Sequence, residues 1–119
     1  MQPDRAWLHV CEAGRLVDGG DGVRFEWPRP GREPLAAFVV RAGGVVAAFL
    51  NRCAHVPIEL DWMPGRFLDE TGRFVVCATH GALYHAGSGA CMGGPCRGAP
   101  LVALPVREVD GHIEVATEP

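Results

Sequence analysis

The sequence contains no lysine: all 11 of its basic residues are arginines, and they are spread along the chain. With 14 acidic residues the formal net charge is −3, and no basic run stands out. Proteins that bind nucleic acids neutralise several phosphates with clustered cations. The charge pattern therefore argues against nucleic-acid binding.

Long apolar runs are also missing. The longest, residues 43–50, is far shorter than the roughly 20 residues of a membrane-spanning helix. The N-terminal residues lack the basic start and apolar core of a secretion signal. We therefore expect a cytoplasmic protein that does not enter a membrane.

Cysteine is sparse for a disulfide-based scaffold. The chain has five cysteines, whereas a small disulfide-rich domain carries more of them and usually an even number. In a reducing cytoplasm, thiols are core residues or metal ligands more often than disulfides. The positions of the cysteines thus become the main question.

Sustained helical periodicity is absent, and short apolar runs punctuated by Gly and Pro dominate. The 119 residues, 48% of them hydrophobic, suffice for a single domain, 1–119, with its own core. Only 11–17 and 57–60 could hold a helical turn. We predict an all-β antiparallel fold with strands at 6–11, 23–27, 35–41, 45–50, 73–77, 101–109 and 112–116.

Three features refine this strand pattern. Gly43-Gly44 and Asp110-Gly111 each separate two strands and predict hairpins. Pro105 lies inside a strand, which favours an edge position or a bulge. In residues 81–100, eight of twenty residues are Gly or Pro, and so loop-rich a stretch inside a compact domain is usually functional.

Two short motifs combine cysteine with histidine directly after predicted strands. They are Cys53-Ala54-His55 and Cys77-Ala78-Thr79-His80. If the two loops lie side by side, two thiolates and two imidazoles converge. Such a set could bind zinc tetrahedrally or hold a [2Fe–2S] cluster with mixed ligands. The Cys-x-His spacing suits two neighbouring irons better than adjacent corners of one small zinc site.

The motifs resemble those of the Rieske family from about residue 51 to the C-terminal hairpin. Matching features besides the two motifs are the Gly after His80, Tyr84 and the stretch Gly93-Gly94-Pro95. The resemblance implies that Cys53 and Cys77 ligate one iron and His55 and His80 the other. It also implies a β-sandwich base carrying a small two-loop cluster-binding subdomain at about 51–100, covered by the Gly-Pro loop.

The resemblance also indicates which kind of Rieske protein this is. High-potential members carry a disulfide between the two loops, but the corresponding positions here are Ile58 and Thr79. A serine that donates to the cluster in that class is replaced by Ala82. Fewer hydrogen bonds to the sulfurs lower the potential, although Tyr84 can donate to a cysteine sulfur. We predict a potential in the lower part of the range of about −150 to +300 mV.

The implied function is that of a stand-alone ferredoxin: one-electron transfer from a flavoprotein reductase to a terminal oxygenase, through transient contacts. We expect no catalysis at the cluster, and 119 residues leave no room for an oxygenase catalytic domain. The alternatives are a small subunit of a larger reductase, similar to that of nitrite reductase, a zinc-stabilised interaction module and a redox sensor. An apolar docking rim is expected at Val56, Pro57, Ala82 and Pro95.

The remaining residues receive structural interpretations. Residues 56–76 are longer than is usual in the family, and 61–67 is expected to be a surface excursion. Cys91 and Cys96 are interpreted as small buried thiols rather than a disulfide, and Asp61, Asp69 and Glu70 as a solvated face. Structural or exposed roles are expected for His9, His85 and His112. Core positions are expected for Trp7, Cys11, Trp27, Phe38 and Phe49.

Overall fold

Ten β-strands and one 3-10 turn make up the part of the chain that the computed structural model describes, residues 6–53, 58–61, 63–78, 81–94 and 99–117. The 3-10 turn, Ala13–Arg15, lies inside one of the two segments predicted to hold a helical turn. The strands are β1 Trp7–Glu12, β2 Val23–Arg29, β3 Arg32–Ala42, β4 Val45–Leu50, β5 Phe74–Val76, β6 Leu83–His85, β7 Cys91–Gly93, β8 Ala103–Leu104, β9 Val106–Val109 and β10 His112–Ala116.

The strands form three antiparallel sheets, which confirms the all-β prediction. The terminal sheet has the order β1-β10-β9, the central sheet β2-β3-β4-β8, and the small sheet β5-β6-β7. Both predicted hairpins are present. Gly43 and Gly44 join β3 to β4 with φ of 59° and 78°, and Asp110 with φ of 52° precedes Gly111 between β9 and β10. Such paired left-handed residues match the twist of a tight hairpin.

Pro105 lies where the chain passes from one sheet to another. It separates β8, an edge strand of the central sheet, from β9, an edge strand of the terminal sheet. Its carbonyl accepts a 2.9 Å hydrogen bond from the Ala116 N–H. The predicted strand 101–109 is therefore divided at Pro105, which itself belongs to neither strand; the strands on either side of it are both edge strands.

The central sheet is buried on both faces. On β3, Phe38 and Val40 pack into the core shared with the small sheet, whereas Ala37 and Val39 pack into the core shared with the terminal sheet. Successive side chains of a strand point to opposite faces, so a strand between two cores needs an unbroken apolar run. The central sheet thus provides a rigid base for the small sheet and its loops.

Most predicted core residues are confirmed. Cys11, Trp27, Phe38 and Phe49 are buried, and the Trp27 indole Nε1 donates to the Ala116 carbonyl at 2.8 Å. Trp7 is only half-buried, so its assignment to the core was wrong. It lies on the outer face of the terminal sheet, where the Arg107 guanidinium covers its ring at 4.0 Å.

Two strands in residues 81–100, β6 and β7, were not predicted. Each has three residues, and the surrounding glycines hide the alternation on which strand prediction depends. The described residues of the other predicted helical turn, 58–60, are not helical.

Candidate metal centre

Two buried cysteines lie on loops that are joined by a hydrogen bond. Cys53 follows β4 and is 2% exposed, and Cys77 follows β5 and is 0% exposed. Both carry thiols. They belong to the same apolar cluster, which also contains Leu60 and Tyr84. The fold therefore brings together the two cysteines of the sequence motifs.

Each cysteine closes its own loop through its backbone N–H. Cys53 N–H donates to the Ile58 carbonyl at 2.8 Å, and Cys77 N–H donates to the Ala82 carbonyl at 2.9 Å. These bonds enclose the segments containing His55 and His80, which lie outside the described residues. Among the described residues, no three His, Cys, Asp or Glu side chains form a metal site. The two cysteines are the described half of the predicted ligand set.

A direct hydrogen bond joins the two cysteine loops. The Ala78 N–H, next to Cys77, donates to the Leu60 carbonyl at 3.1 Å. Asn51, two residues before Cys53, is buried, and its Oδ1 accepts from the Leu60 N–H at 2.8 Å. Leu60 therefore connects both loops, and Asn51 holds Leu60 in place. Asn51 was not among the predicted site residues, although a polar residue in an otherwise apolar segment beside a ligand motif was a usable signal.

Tyr84 contributes a hydroxyl to this centre. It lies on β6, is completely buried, and places its Oη 3.6 Å from Cys53 Sγ. Buried hydroxyls need a partner, and a thiolate sulfur is a suitable acceptor. This geometry agrees with the predicted hydrogen bond from Tyr84 to a cysteine sulfur.

The third loop approaches the second cysteine loop very closely. Gly94 has φ of 80°, and a Cβ at this position would lie 2.9 Å from both Ala82 Cα and the Gly81 carbonyl oxygen. Real Cβ atoms do not approach backbone so closely, so only glycine allows this packing. The loop Gly93-Gly94-Pro95 was predicted to cover the cluster; its described part packs against the second cysteine loop, and Pro95 lies outside the described residues.

The described residues fit a [2Fe–2S] cluster. Two buried cysteines in an apolar setting could supply sulfur ligands, the Tyr84 hydroxyl lies beside one of the sulfurs, and Gly94 packs closely against the second cysteine loop. A cluster held this way is shielded from water, and its potential is tuned by the hydrogen bonds to its sulfurs. When bound, the cluster supplies reversible one-electron chemistry.

The model of the Rieske [2Fe-2S] domain matches residues 6–112 of the chain. The chain belongs to the Rieske [2Fe–2S] domain family. As a member, it carries one such cluster. The predicted family, fold class, cofactor and electron-carrier function are thereby confirmed.

Similar solved structures include two small chains and one larger protein. A chain in the complex of reduced oxygenase and oxidized ferredoxin in carbazole 1,9a-dioxygenase is 27% identical with a TM-score of 0.73, covering 97% of this chain and 96% of that one. The Sphingomonas yanoikuyae B1 ferredoxin is 23% identical with a TM-score of 0.72, covering 98% and 100%.

The larger protein is the terminal oxygenase of carbazole 1,9a-dioxygenase from Novosphingobium sp. KA1. It is 19% identical with a TM-score of 0.74, and the match covers 94% of this chain but 30% of that one. These two lower-identity matches show a shared fold. No curated protein matches the sequence significantly. In the part of the chain that is described, no helix is long and apolar enough to cross a membrane.

The structure corrects the interpretation of residues 61–67 as a surface excursion. Met63 and Arg66 are exposed, but Phe67 is 1% exposed and stacks on Phe38 with ring centroids 3.8 Å apart. Asp61 is 7% exposed, so it does not belong to a solvated face. The segment is thus held in the core at both ends, by Asp61 through its hydrogen bonds and by Phe67 through its stacking on Phe38.

Two further expectations are wrong. Ala82 is completely buried under the third loop and cannot form part of a docking rim; the other rim residues, Val56, Pro57 and Pro95, lie outside the described residues. Cys91 is disulfide-bonded rather than a buried thiol, and its partner is not among the described residues. Cys91 lies on β7, an edge strand of the small sheet, and is only half-buried.

The remaining titratable groups are structural. Burial raises the pKa of the Cys11 thiol, an effect that Arg15 and Arg41 partly offset. Desolvation alone would raise the pKa of Asp69, but hydrogen bonds from the Thr71 hydroxyl and from backbone N–H groups outweigh it and lower the pKa. His9, His85 and His112 are exposed, as expected.

Proposed function

We propose that Cys53 and Cys77 ligate one iron of the cluster and that His55 and His80 ligate the other. The observation that carries this proposal is the burial of both cysteines in one apolar cluster, on loops joined by the Ala78–Leu60 hydrogen bond. The Tyr84 hydroxyl beside Cys53 supports the sulfur assignment. The spacing of the two motifs supports the histidines.

Absorption and EPR spectra of protein purified without air test the ligand set. The reduced protein should give the low average g-value of mixed His and Cys ligation. His80→Ala should change or abolish this signal, because it removes an imidazole from one iron. The matched control is His85→Ala, which removes an exposed histidine from β6 and should leave the signal unchanged. An unchanged signal in His80→Ala would refute the assignment.

We infer that the chain accepts one electron from a flavoprotein reductase and passes it to a terminal oxygenase through transient contacts. The support is its 27% identity, over 97% of its length, to a chain from a complex of oxygenase and ferredoxin. On this proposal the chain is not itself an enzyme, and it acts in the cytoplasm. It is a single domain over 1–119, with its cluster-binding part at about 51–100. It binds neither nucleic acid nor membrane. Four protein ligands fill the positions on both irons, so substrate has no open site.

Stopped-flow kinetics test the electron-transfer role. The chemically reduced protein is mixed with an oxidised ring-hydroxylating oxygenase, and the cluster absorbance is followed. Oxidation should be bimolecular and should slow with surface mutations in the cluster-binding part, about 51–100, and not with mutations in the terminal sheet. Failure to exchange electrons with any reductase or oxygenase of this class, while the cluster spectrum is intact, would contradict the proposal.

A further inference from the structure

We propose that the buried carboxylate of Asp61 lowers the reduction potential of the cluster and positions the two cysteine loops. This inference rests on the proposed ligand set. It concerns a charge that is taken out of water close to the cysteine loops, in the segment expected to be a surface excursion.

The Asp61 side chain is 0% exposed and is surrounded by N–H donors. Its Oδ1 accepts from Asn51 Nδ2 at 2.9 Å, and its Oδ2 accepts from the Gly65 N–H at 3.0 Å. The Arg24 guanidinium Nε lies 3.6 Å from Oδ2. Two hydrogen bonds and one ion pair therefore hold the carboxylate inside the protein.

Asp61 is connected to both cysteine loops. Its partner Asn51 precedes Cys53 by two residues and also binds the Leu60 N–H. The Leu60 carbonyl accepts from Ala78, the residue after Cys77. Two hydrogen bonds, Asp61 to Asn51 and Asn51 to Leu60, thus connect the carboxylate to the first cysteine loop. The Leu60 carbonyl then connects it to the second cysteine loop. Asp61 is a positioning residue for both.

The charge also acts on the redox equilibrium. Reduction adds an electron to the cluster, and a nearby negative charge disfavours this step. The effect is larger when the charge is buried, because the effective dielectric constant falls from about 80 in water to about 20 or less in protein. Arg24, with its side chain 37% exposed, offsets part of the Asp61 charge.

Glu59 offers a matched comparison. It bonds the same Arg24 guanidinium at 2.8 Å, but its side chain is 48% exposed. Its charge is therefore screened by water and salt. Asp61→Asn and Glu59→Gln each remove one negative charge beside the same cation, and they differ in burial.

The experiment is a redox titration of cluster-loaded wild type, Asp61→Asn, Glu59→Gln and Arg24→Gln at one pH. Asp61→Asn should raise the midpoint potential, and by more than Glu59→Gln, because the Asp61 charge is less screened by water. Arg24→Gln should lower the potential, because it leaves the buried carboxylate without its cation. Added salt should reduce the shift of Glu59→Gln and leave that of Asp61→Asn nearly unchanged.

Equal shifts in Asp61→Asn and Glu59→Gln, or a lower potential in Asp61→Asn, would overturn the proposal. If Asp61→Asn does not assemble a cluster, the midpoint potential of Arg24→Gln becomes the test of the electrostatic role. An unchanged or raised potential in that variant would refute it. The iron content and EPR signal of the wild type test the ligand set separately. A failed ligand assignment is thus distinguished from a failed role for Asp61.

Discussion

Replacement of Gly94 by alanine should displace the third loop from the second cysteine loop. A Cβ at Gly94 would lie 2.9 Å from Ala82 Cα, 2.9 Å from the Gly81 carbonyl oxygen and 3.3 Å from the Ala82 nitrogen. All three atoms belong to backbone and cannot move away as a flexible side chain would. The φ of 80° adds conformational strain for any residue with a Cβ.

The two costs are separated by a matched variant. Gly111 has φ of 79°, and a Cβ there would meet nothing within 4 Å. Gly111→Ala should therefore show the conformational cost alone, about 1 kcal/mol after the entropy that alanine removes from the unfolded chain. Gly94→Ala should add about 1–3 kcal/mol for overpacking, about 2–4 kcal/mol in total.

Thermal unfolding, followed by the loss of cluster absorbance, measures both variants. For a domain of this size about 1 kcal/mol corresponds to roughly 3–5 °C. Gly111→Ala should lose roughly 3–5 °C and Gly94→Ala roughly 6–20 °C, with faster release of iron from the latter only. Equal losses of stability in the two variants, with equal rates of iron release, would show that the close approach to Ala82 has no energetic weight.

Three further perturbations have expected outcomes. Tyr84→Phe removes the hydroxyl 3.6 Å from Cys53 Sγ. If this hydroxyl donates a hydrogen bond that stabilises the reduced state by about 0.5–1.5 kcal/mol, its loss should lower the midpoint potential by about 20–60 mV in a redox titration. An unchanged potential would exclude this bond. Because burial raises the pKa of Cys11, its alkylation in native protein at neutral pH should be much slower than in urea, as mass spectrometry can measure; similar rates would contradict its burial. The pKa of Asp69 is lowered by its hydrogen bonds. The ionised carboxylate therefore stabilises the fold above its ordinary pKa of about 3.9, and this stabilisation is lost as the pH falls through the lower folded value. In denaturant titrations between about pH 5 and pH 2, Asp69→Asn should lose less stability than the wild type, and parallel losses would refute this.

Strand positions could be predicted where the pattern was local. Val45–Leu50 and His112–Ala116 have the predicted bounds, because apolar runs followed or preceded by Gly-containing turns fix both ends. β6 and β7 could not be predicted in this way. Each pairs over only two or three positions, and their existence depends on the sheet around Tyr84 rather than on propensity.

The misassigned segment shows a different limit. Residues 61–67 contain the turn residues and charges of an exposed loop, and composition alone predicts exposure. Gly65 is a local partner of Asp61, but Asn51 and Arg24 come from separate parts of the chain. Only the tertiary structure brings these two partners to the carboxylate. A buried carboxylate with a complete set of donors therefore resembles a surface aspartate at the level of sequence.

Two features of the chain beside the third loop respond differently to reductant. Cys91 carries a disulfide, a bond that reductants open. Gly94 is held by its packing against Gly81 and Ala82, which no reductant affects. If the packing fixes the loop, reduction of the disulfide should leave the cluster spectrum unchanged in the wild type. The same reduction should accelerate iron loss in Gly94→Ala, where the disulfide is the remaining constraint. Comparison of the rates of iron loss in the two proteins, with and without reductant, then shows which constraint holds the loop in place.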